Sequence, residues 1–334
     1  MPHHYIKIKV TNKGDKNKGD RYIFLLKLLE KCTCHLYFFI LLNFIESPGF
    51  IKYIASIMGF RIRIVLIAIL IAVLVFPDFT LARLSYRHPG EYRLTANTAL
   101  LWDPATRERY FDRGADREVF PASTTKILTA ILVLENLPLD KYVTVSVHAT
   151  QVPQTKLGLR PGQSFRVRDL LYGLILRSAN DAAVVLAEAV AGSEGKFVDM
   201  MNVRARQIGA MHTHFANPHG LPSAGPQFTT ASDMALLFAQ ALKSDFFRQA
   251  ITLKYLTISS GAGQRYFLKS HNRSLFLNWK RHVFGKTGYT IEAQSCFVGY
   301  IPRVNGILII AVYGCRKRWT DMKYIIEHYG RITL

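Results

Sequence analysis

A serine and a lysine three residues apart, Ser123 and Lys126, are the side chains in this chain best placed to do chemistry. They open the apolar segment 120–137, in which isoleucine and leucine recur at helical spacing, and Pro121 suits the first turn of a helix. Side chains three positions apart on a helix are neighbours, so the lysine amine lies within hydrogen-bonding reach of the serine hydroxyl. A neutral amine in that position can deprotonate the hydroxyl and make the serine a nucleophile without a histidine.

This spacing is weak evidence by itself, because it occurs a second time. Ser193 and Lys196 are also three residues apart, but they lie among glycine and glutamate with no apolar face behind them. An exposed serine at a helix start, followed by a solvated lysine, would fit the first pair as well. The interpretation therefore depends on what accompanies Ser123 and Lys126.

A second motif, Ser178-Ala-Asn180, interrupts an apolar region between two segments of helical period, 167–176 and 182–190. A short loop between two helices can direct both polar side chains into a cleft. Ser270-His-Asn272 has the same spacing, but it does not connect two helices. The first copy is therefore the better candidate for a site.

A third motif, Lys286-Thr287-Gly288, occurs once and lies on a predicted strand. The ordered series Ser-x-x-Lys, Ser-x-Asn and Lys-Thr-Gly resembles that of the penicillin-recognising serine transferases. The surrounding segments look like successive signatures of the D-alanyl-D-alanine carboxypeptidases, low-molecular-mass penicillin-binding proteins of the S11 peptidase type within the DD-peptidase/β-lactamase superfamily. These segments are LYGLILRSANDAAVVLAEAVAGS, FVDMMNVRARQIGAMHTHFANPHGL, FTTASDMALLFAQAL and FGKTGYT, and the similarity runs from about Leu94 to Tyr329.

The resemblance implies a role for each motif. Ser123 would attack the carbonyl between two D-alanines, with Lys126 as base, Ser178 as proton relay to the leaving amine and Asn180 holding Lys126 and the substrate amide. Lys286 and Thr287 would bind the terminal carboxylate of the peptide. The oxyanion hole would be formed by the backbone N–H groups of Ser123 and Tyr289, while Gly288 lets the strand edge approach the substrate closely. The implied reaction removes the terminal D-alanine of peptidoglycan pentapeptides, and β-lactam antibiotics would be covalent inhibitors.

One further residue is a candidate for the carboxylate site. Arg318, in Arg-Lys-Arg-Trp, would add a second positive charge, although it fits a surface arginine equally well. The chain departs from many family members after Tyr289, where the small glycine-containing turn is missing. It also ends soon after the last predicted helix, so a β-rich second domain and attachment to the membrane through the C-terminus are not expected.

The order of predicted elements indicates an α/β fold of the α+β type. Strands are predicted near both ends, over 94–102, 107–111, 283–289, 295–301 and 307–313, with further strand-like segments at 143–152, 255–259 and 266–270. Helices are predicted between them and over 320–329, and Thr230 is expected to cap a helix that ends at Leu242. We expect an antiparallel five-stranded sheet flanked by helices, with a helical insertion subdomain.

The N-terminal third contains the expected export signal. Two arginines precede an apolar run from Ile64 to Phe76, which is shorter than the ~20 residues that cross a bilayer, and small residues follow at Thr80-Leu-Ala82. We interpret 58–82 as a signal peptide beginning at Met58 and 83–334 as the catalytic domain, exported to the periplasm or the outer face of a bacterial cytoplasmic membrane. Residues 1–57 are then a misassigned upstream extension. The alternative is a cytoplasmic tail on an uncleaved anchor, which would be the chain's membrane contact.

Composition narrows the choice of partners. The formal charge is +20, of which +14 lies after Ala82, so an anionic partner such as cell-wall polymer or lipid headgroups is expected. We find no motif for nucleic acid, no phosphate loop and no metal-ligand spacing, so neither a cofactor nor a metal is expected. A hairpin near 302–305 would place Cys296 opposite residue 311 or 312, and two buried free thiols are favoured over a disulfide with Cys315.

Three other functions share some of these features. A β-lactamase of this plan uses a Glu-x-x-Leu-Asn loop, which is not found after Asn180. A muropeptide-binding protein without activity would have a damaged motif series, whereas all three motifs are intact. A DD-endopeptidase needs the same residues and only a wider cleft, so it is the nearest alternative to a carboxypeptidase.

Overall fold

The computed structural model describes residues 92–334 of the 334-residue chain. The predicted signal peptide and the segment 1–57 lie outside the described residues. Within residues 92–334, no helix combines the length and the apolar character that a membrane crossing requires.

A five-stranded antiparallel sheet forms the centre of the described chain, in the order β2-β1-β9-β8-β7. The first strand, β1, pairs with the last, β9, so the two ends of the domain meet in one sheet, as the order of elements predicts. The strands are β1 (Thr98–Trp102), β2 (Arg109–Arg113), β7 (Phe284–Thr290), β8 (Gln294–Arg303) and β9 (Gly306–Cys315). Two small antiparallel ribbons pair β3 (Tyr142–Thr144) with β4 (Ser164–Arg166) and β5 (Tyr255–Ser259) with β6 (Arg265–Lys269).

Most helices are inserted between β2 and β7. In chain order they are α1 (Lys126–Asn136), α2 (Val147–Gln151), α3 (Val167–Tyr172), α4 (Asn180–Ala191), α5 (Glu194–Ile208), α6 (Ala231–Ala241) and α7 (Asp245–Ala250), followed after the sheet by α8 (Arg318–His328). A 3₁₀ turn, Ala122–Thr125, precedes α1, and a π turn, Gly173–Arg177, continues α3.

The sheet separates two apolar cores, because alternate side chains of a strand point to opposite faces. On one face, Leu100 and Ala311 pack with the inserted helices, whose contribution includes Ile127 and Leu128 of α1. On the other face, Leu101, Ile310 and their neighbours pack against α8 through Met322, Ile325 and Ile326. In α1 every residue from Lys126 to Val133 is buried, and only the C-terminal end is more exposed. This burial fixes the start of the helix against the sheet.

The structure confirms the predicted strands at 255–259, 266–270, 283–289, 295–301 and 307–313 to within three residues at each end, and Thr230 caps α6 by accepting from the Asp233 N–H. The strand predicted over 143–152 is wrong in its second half, which is α2. The Ser146 hydroxyl accepts a hydrogen bond from the Ala149 N–H and thereby starts a helix where the apolar pattern indicated extended chain. The strand predicted at 107–111 begins two residues later, after Arg107 adopts a left-handed conformation.

Cys296 and Cys315 are buried free thiols, as the sequence favours. The predicted register at Cys296 is wrong, however. Phe297 pairs with Val312, and a bulge between Ser295 and Phe297 then brings Ser295 opposite Cys315. An extra residue in one strand shifts the pairing beyond it, so the two cysteines lie closer in register than a regular hairpin allows.

Candidate active site

Ser123 lies in the 3₁₀ turn that leads into α1. Ala122, directly before it, has a left-handed φ of 47°, which is uncommon for a residue with a side chain. The Thr124 hydroxyl donates to the Pro121 carbonyl at 2.6 Å and lies 3.1 Å from the Tyr313 hydroxyl of β9. The turn is therefore fixed to the sheet, and its unusual backbone carries Ser123 at the edge of a cleft.

The Lys126 amine lies one turn further on and is surrounded by oxygen acceptors. It donates to Ser123 Oγ at 3.1 Å, to Asn180 Oδ1 at 2.7 Å and to the His219 carbonyl at 2.5 Å. Lys126 is only 1% exposed. Burial, and after it the positive charge of Lys286, lower the pKa of Lys126 well below its usual value. The arrangement thus favours a neutral amine beside a serine hydroxyl.

The carbonyl that holds Lys126 comes from a tight turn over 217–221. The Asn217 side chain closes this turn by accepting from the N–H groups of His219 and Gly220 at 3.3 and 2.6 Å. Gly220 has a φ of +83°, and a methyl group built on it would lie 1.8 Å from the Ala122 carbonyl oxygen. Only glycine fits there, so the turn packs directly on the Ser123 segment.

Ser178 and Asn180 lie between the π turn and α4. Ser178 has left-handed backbone angles of 60° and 34°, and its Oγ accepts a hydrogen bond from the Lys286 amine at 2.8 Å. The Asn180 side chain spans two segments, since its amide nitrogen donates to the Pro153 carbonyl at 3.0 Å while its oxygen accepts from Lys126. Both side chains of the motif therefore contact a lysine. π turns and strained backbone are often found at functional sites.

Asp181, the next residue, is fully buried, and its negative charge partly offsets the lowering of the pKa of Lys126. Its carboxylate accepts hydrogen bonds from the N–H groups of Leu157, Gly158 and Leu159 at 3.0, 2.9 and 3.2 Å. These contacts anchor the loop that supplies the Pro153 and Thr155 carbonyls to Asn180. Asp181 is thus a support for the Ser-x-Asn motif, and the sequence prediction missed it.

Lys286, Thr287 and Gly288 lie on β7, at an edge of the five-stranded sheet. Burial and the charge of Arg318 lower the pKa of Lys286 to about 7. A methyl group built on Gly288 would lie 3.1 Å from the Ser123 nitrogen and 3.3 Å from the Pro121 carbonyl oxygen. The absence of a side chain at Gly288 therefore lets the strand lie against the backbone of the serine turn.

Arg318 reaches the same strand from the first turn of α8. One guanidinium nitrogen donates to the Gly288 and Cys296 carbonyls at 3.0 and 2.7 Å, and the group lies 4.6 Å from the centre of the Trp319 ring. No carboxylate among residues 92–334 forms an ion pair with Arg318. The arginine is therefore held in place by neutral groups, with its charge uncompensated. Tyr289, 66% exposed, lines the cleft beside it.

All nine residues that the sequence singles out lie around one cleft of about 450 Å³ or directly beneath it. Ser123, Ser178, Thr287, Gly288, Tyr289 and Arg318 line the cleft, while Lys126, Asn180 and Lys286 lie beneath and contact them. In the second copy of this spacing, Ser270 also lines the cleft, whereas Asn272 donates to the Val283 carbonyl. The His219 carbonyl had no sequence signal, because it acts through the backbone. No group of His, Cys, Asp and Glu within the described part of the chain could hold a metal ion.

A serine hydroxyl beside a buried lysine, a second serine–lysine contact, and an antiparallel sheet packed with an inserted helical region define the class of serine DD-peptidases and penicillin-binding proteins. Solved structures support the class. A D-alanyl-D-alanine carboxypeptidase of Mycobacterium tuberculosis H37Rv matches with a TM-score of 0.66 and 30% identity, covering 74% of this chain and 96% of that one. A point variant of the Streptomyces K15 DD-transpeptidase matches with a TM-score of 0.67 and 27% identity, covering 72% and 100%.

Sequence comparison specifies the family. The family model for the D-alanyl-D-alanine carboxypeptidases, peptidase family S11, matches residues 85–316, and the chain belongs to this family. A D-alanyl-D-alanine carboxypeptidase of Bacillus subtilis (strain 168) is 30% identical over 250 residues, which make up 73% of this chain and 64% of that protein. A second one, from Mycobacterium tuberculosis, is 36% identical over 208 residues, which make up 61% and 70% of the two chains. The chain thus spans about two thirds of the length of these relatives.

Proposed function

We propose that this protein is a serine-type D-Ala-D-Ala carboxypeptidase that removes the terminal D-alanine of peptidoglycan pentapeptides through an acyl-enzyme on Ser123. The observation that carries the proposal is the contact of 3.1 Å between Ser123 Oγ and a lysine amine that is buried and disfavoured as a cation. Names of the relatives support the reaction class, since several are D-alanyl-D-alanine carboxypeptidases.

Acylation begins at this contact. Neutral Lys126 takes the hydroxyl proton as Ser123 Oγ bonds to the carbonyl carbon between the two D-alanines. The negative oxygen of the tetrahedral intermediate accepts hydrogen bonds from the backbone N–H groups of Ser123 and Tyr289, and each such donor is worth ~3–4 kcal/mol in related sites. Gly288 brings the strand that carries Tyr289 against Ser123. Collapse of the intermediate breaks the peptide bond and leaves an ester on Ser123.

The leaving amine must receive a proton. Ser178 Oγ lines the cleft with Ser123 and receives a hydrogen bond from Lys286. In the proposed reaction it passes the proton taken by Lys126 to the departing D-alanine nitrogen. Asn180 keeps Lys126 in position through the bond of 2.7 Å to its side-chain oxygen. Water then attacks the ester while Lys126 accepts its proton. Lys126 returns this proton to Ser123 Oγ as the ester bond breaks, and the shortened peptide leaves with a terminal carboxyl group.

Recognition of a chain end follows from the charges beside the serine. Lys286 and Arg318 place positive charge next to the Thr287 hydroxyl, and a carboxylate bound there would receive charge-assisted hydrogen bonds. A peptide without a free terminal carboxylate at this place would lose those contacts. β-Lactams also carry a carboxylate beside a reactive carbonyl, so we propose that they acylate Ser123.

The test uses a pentapeptide that ends in D-Ala-D-Ala and measures free D-alanine. We expect release by the wild-type protein and a loss of more than about 10³-fold in Ser123→Ala. An amidated terminal D-alanine serves as the matched control and should be cleaved far more slowly. Equal cleavage of the amidated peptide, or undiminished activity of Ser123→Ala, would contradict the proposal. A cross-linked muropeptide dimer, cut faster than the pentapeptide, would favour a DD-endopeptidase instead.

We also propose that the catalytic domain acts outside the cytoplasmic membrane, where peptidoglycan is assembled. The support is the basic and apolar pattern of 58–82, which is typical of a secretory signal. N-terminal sequencing of the native protein should find a first residue near Arg83. A native chain that begins upstream of Met58 would instead favour an uncleaved anchor.

A further inference from the structure

The rim of the catalytic cleft carries more positive charge than one terminal carboxylate needs. Beyond Arg318, the cleft is lined by three exposed cations, Arg177, Lys269 and Arg273, and no aspartate or glutamate is among its lining residues. A single D-alanine carboxylate carries one negative charge, which the site at Thr287 already receives. The outer cations are therefore left for another group of the ligand.

The backbone fixes the outer cations on one wall. The His271 N–H donates to the Leu176 carbonyl at 3.0 Å, which joins the loop after β6 to the π turn. Arg177 follows Leu176 directly and Lys269 is the last residue of β6, so the two side chains flank this joint. Burial, with the charges of Lys286 and Arg177, lowers the pKa of His271 to about 4. The His271 imidazole, which also lines the cleft, is therefore neutral at pH 7 and adds no charge.

These cations differ from several other arginines of the described chain, which have acidic partners. Arg109, Arg168, Arg204 and Arg248 each form an ion pair of the described chain, with Asp116, Asp140, Glu135 and Asp245. Within residues 92–334, neither Arg177 nor Arg273 forms an ion pair, and Lys269 only lies 5.3 Å from the centre of the Phe276 ring.

The sequence explains why no acid is near. Between Asp245 and Glu292 the chain contains no acidic residue, although this stretch supplies β5, β6, β7 and their loops. Eight lysines and arginines occur in it: Arg248, Lys254, Arg265, Lys269, Arg273, Lys280, Arg281 and Lys286. One whole wall of the cleft is thus without an internal counterion, and an anion from outside is the group that its charge favours.

We propose that Arg177 and Lys269 form a subsite for a second carboxylate of the stem peptide, on the side chain of a residue that precedes D-Ala-D-Ala. The subsite rests on the proposed carboxypeptidase function and narrows it to acyl donors with an acidic group in that position. The cleft that Arg177 and Lys269 share with Ser123 has a volume of about 450 Å³, which lies in the range of sites that hold more than a terminal residue. Each exposed charge pair contributes a factor of roughly 1.4 to 5, so two together give about tenfold selectivity.

The test compares two pentapeptides that are identical except at the third residue, which carries a free carboxylate in one and a carboxamide in the other. For the wild-type protein we expect kcat/KM to be about tenfold higher for the acid. In the double variant Arg177→Gln/Lys269→Gln, the ratio of the two values should fall to about 2 or less. Raising the salt concentration should shrink the wild-type ratio, because exposed ion pairs are screened.

The matched control is Arg206→Gln/Lys243→Gln, which removes the same charge from exposed positions that do not line the cleft. It should keep the wild-type ratio. A ratio near one in the wild type, or a ratio that survives in the Arg177/Lys269 variant, would overturn the subsite. Equal loss in the control variant would also overturn it, because net charge would then be responsible.

Failure of the proposed reaction can be distinguished from failure of the subsite. If the wild type cleaves neither peptide, calorimetry of both peptides with Ser123→Ala still measures the preference for the carboxylate. Binding to vesicles that contain an anionic phospholipid tests whether these cations bind a membrane surface instead. Binding to vesicles that depends on Arg177 and Lys269, without a preference between the peptides, would assign these cations to a membrane surface and overturn the peptide subsite.

Discussion

Two pairs in this molecule have the same Ser-x-x-Lys spacing but differ in their contacts and in the burial of the lysine. In the first, Ser123 and Lys126 contact each other through their side chains at 3.1 Å, and the amine is buried among oxygen acceptors. In the second, the Ser193 hydroxyl caps α5 by accepting from the backbone N–H of Lys196 at 3.3 Å, and the lysine side chain is exposed. One serine contacts an amine that can serve as a base, while the other only caps the start of a helix.

The Ser-x-x-Lys spacing brings the two residues close to each other in both pairs. Whether the lysine can act as a base depends on the residues that surround its amine. An amine in water stays charged at neutral pH and cannot take a proton. At Lys126, removal from water and a neighbouring cation disfavour the charge, while the Asn180 and His219 oxygens still satisfy its hydrogen bonds. The sheet and the inserted helices are needed to build that environment, so three residues alone cannot specify it.

The largest effect is expected from removing each lysine in turn. Lys126→Gln keeps a polar side chain but removes the base, so we expect acylation by a penicillin to slow by about 10²–10⁴-fold. Lys196→Gln should leave the rate within about twofold of wild type. Stopped-flow measurement of acylation checks both. A Lys126→Gln protein that acylates normally would place the base elsewhere.

The next largest effect is expected from substituting a glycine beside the first pair, Gly288, and is compared with the same substitution beside the second pair, Gly195. Gly288→Ala should cost about 10- to 100-fold in acylation, because the new methyl group would lie 3.1 Å from the Ser123 nitrogen and push the strand away. Gly195 has no atom within 4 Å of an added methyl group and lies in α5. Gly195→Ala should therefore keep full activity and raise the free energy of unfolding by roughly 0.5–1 kcal/mol. Urea unfolding and acylation kinetics measure the two outcomes.

Much of the fold was predictable from period, because strands 283–289, 295–301 and 307–313 alternate or are continuously apolar and lie in the structure nearly as predicted. The segment 143–152 was not, since Ser146 starts a helix whose five residues are too few to show a period. The register at Cys296 failed for another reason. A bulge depends on the packing of three strands and leaves no local pattern.

The side chains of the site could be predicted because three short motifs carry them in order. Their supports could not. Lys126 is held by the carbonyl of His219, and a backbone atom has no residue type that marks it. Asp181 follows the second motif immediately, yet its role is visible only when the loop at 157–159 folds onto it. These contacts join residues that are 22 to 93 positions apart in the sequence, so no local sequence pattern predicts them.

A smaller effect should appear in the pH dependence of the buried site. Lys286 has a pKa of about 7, so in the free enzyme it loses its charge and its attraction for a carboxylate as pH rises through that value. Arg318→Gln removes a cation that lowers this pKa, so the fall in kcat/KM should begin at higher pH, while KM rises at every pH. Arg316→Gln, an exposed neighbour, should show the wild-type profile. An unchanged basic limb in Arg318→Gln would contradict the assigned cause.

The smallest effect belongs to the second pair. Ser193→Ala removes the cap of α5 and should lower the free energy of unfolding by about 1 kcal/mol, with D-alanine release unchanged. Thermal unfolding beside a pentapeptide assay measures both. A loss of activity without a loss of stability would show that this pair takes part in the reaction after all.

Covalent labelling compares the two pairs in a single experiment and shows which serine is the nucleophile. The native protein is treated with labelled penicillin, digested, and its peptides are identified by mass spectrometry. The label should be found on Ser123, with Ser178 and Ser193 unmodified, and it should be absent from Ser123→Ala. Label on another serine, or undiminished labelling of Ser123→Ala, would contradict the account.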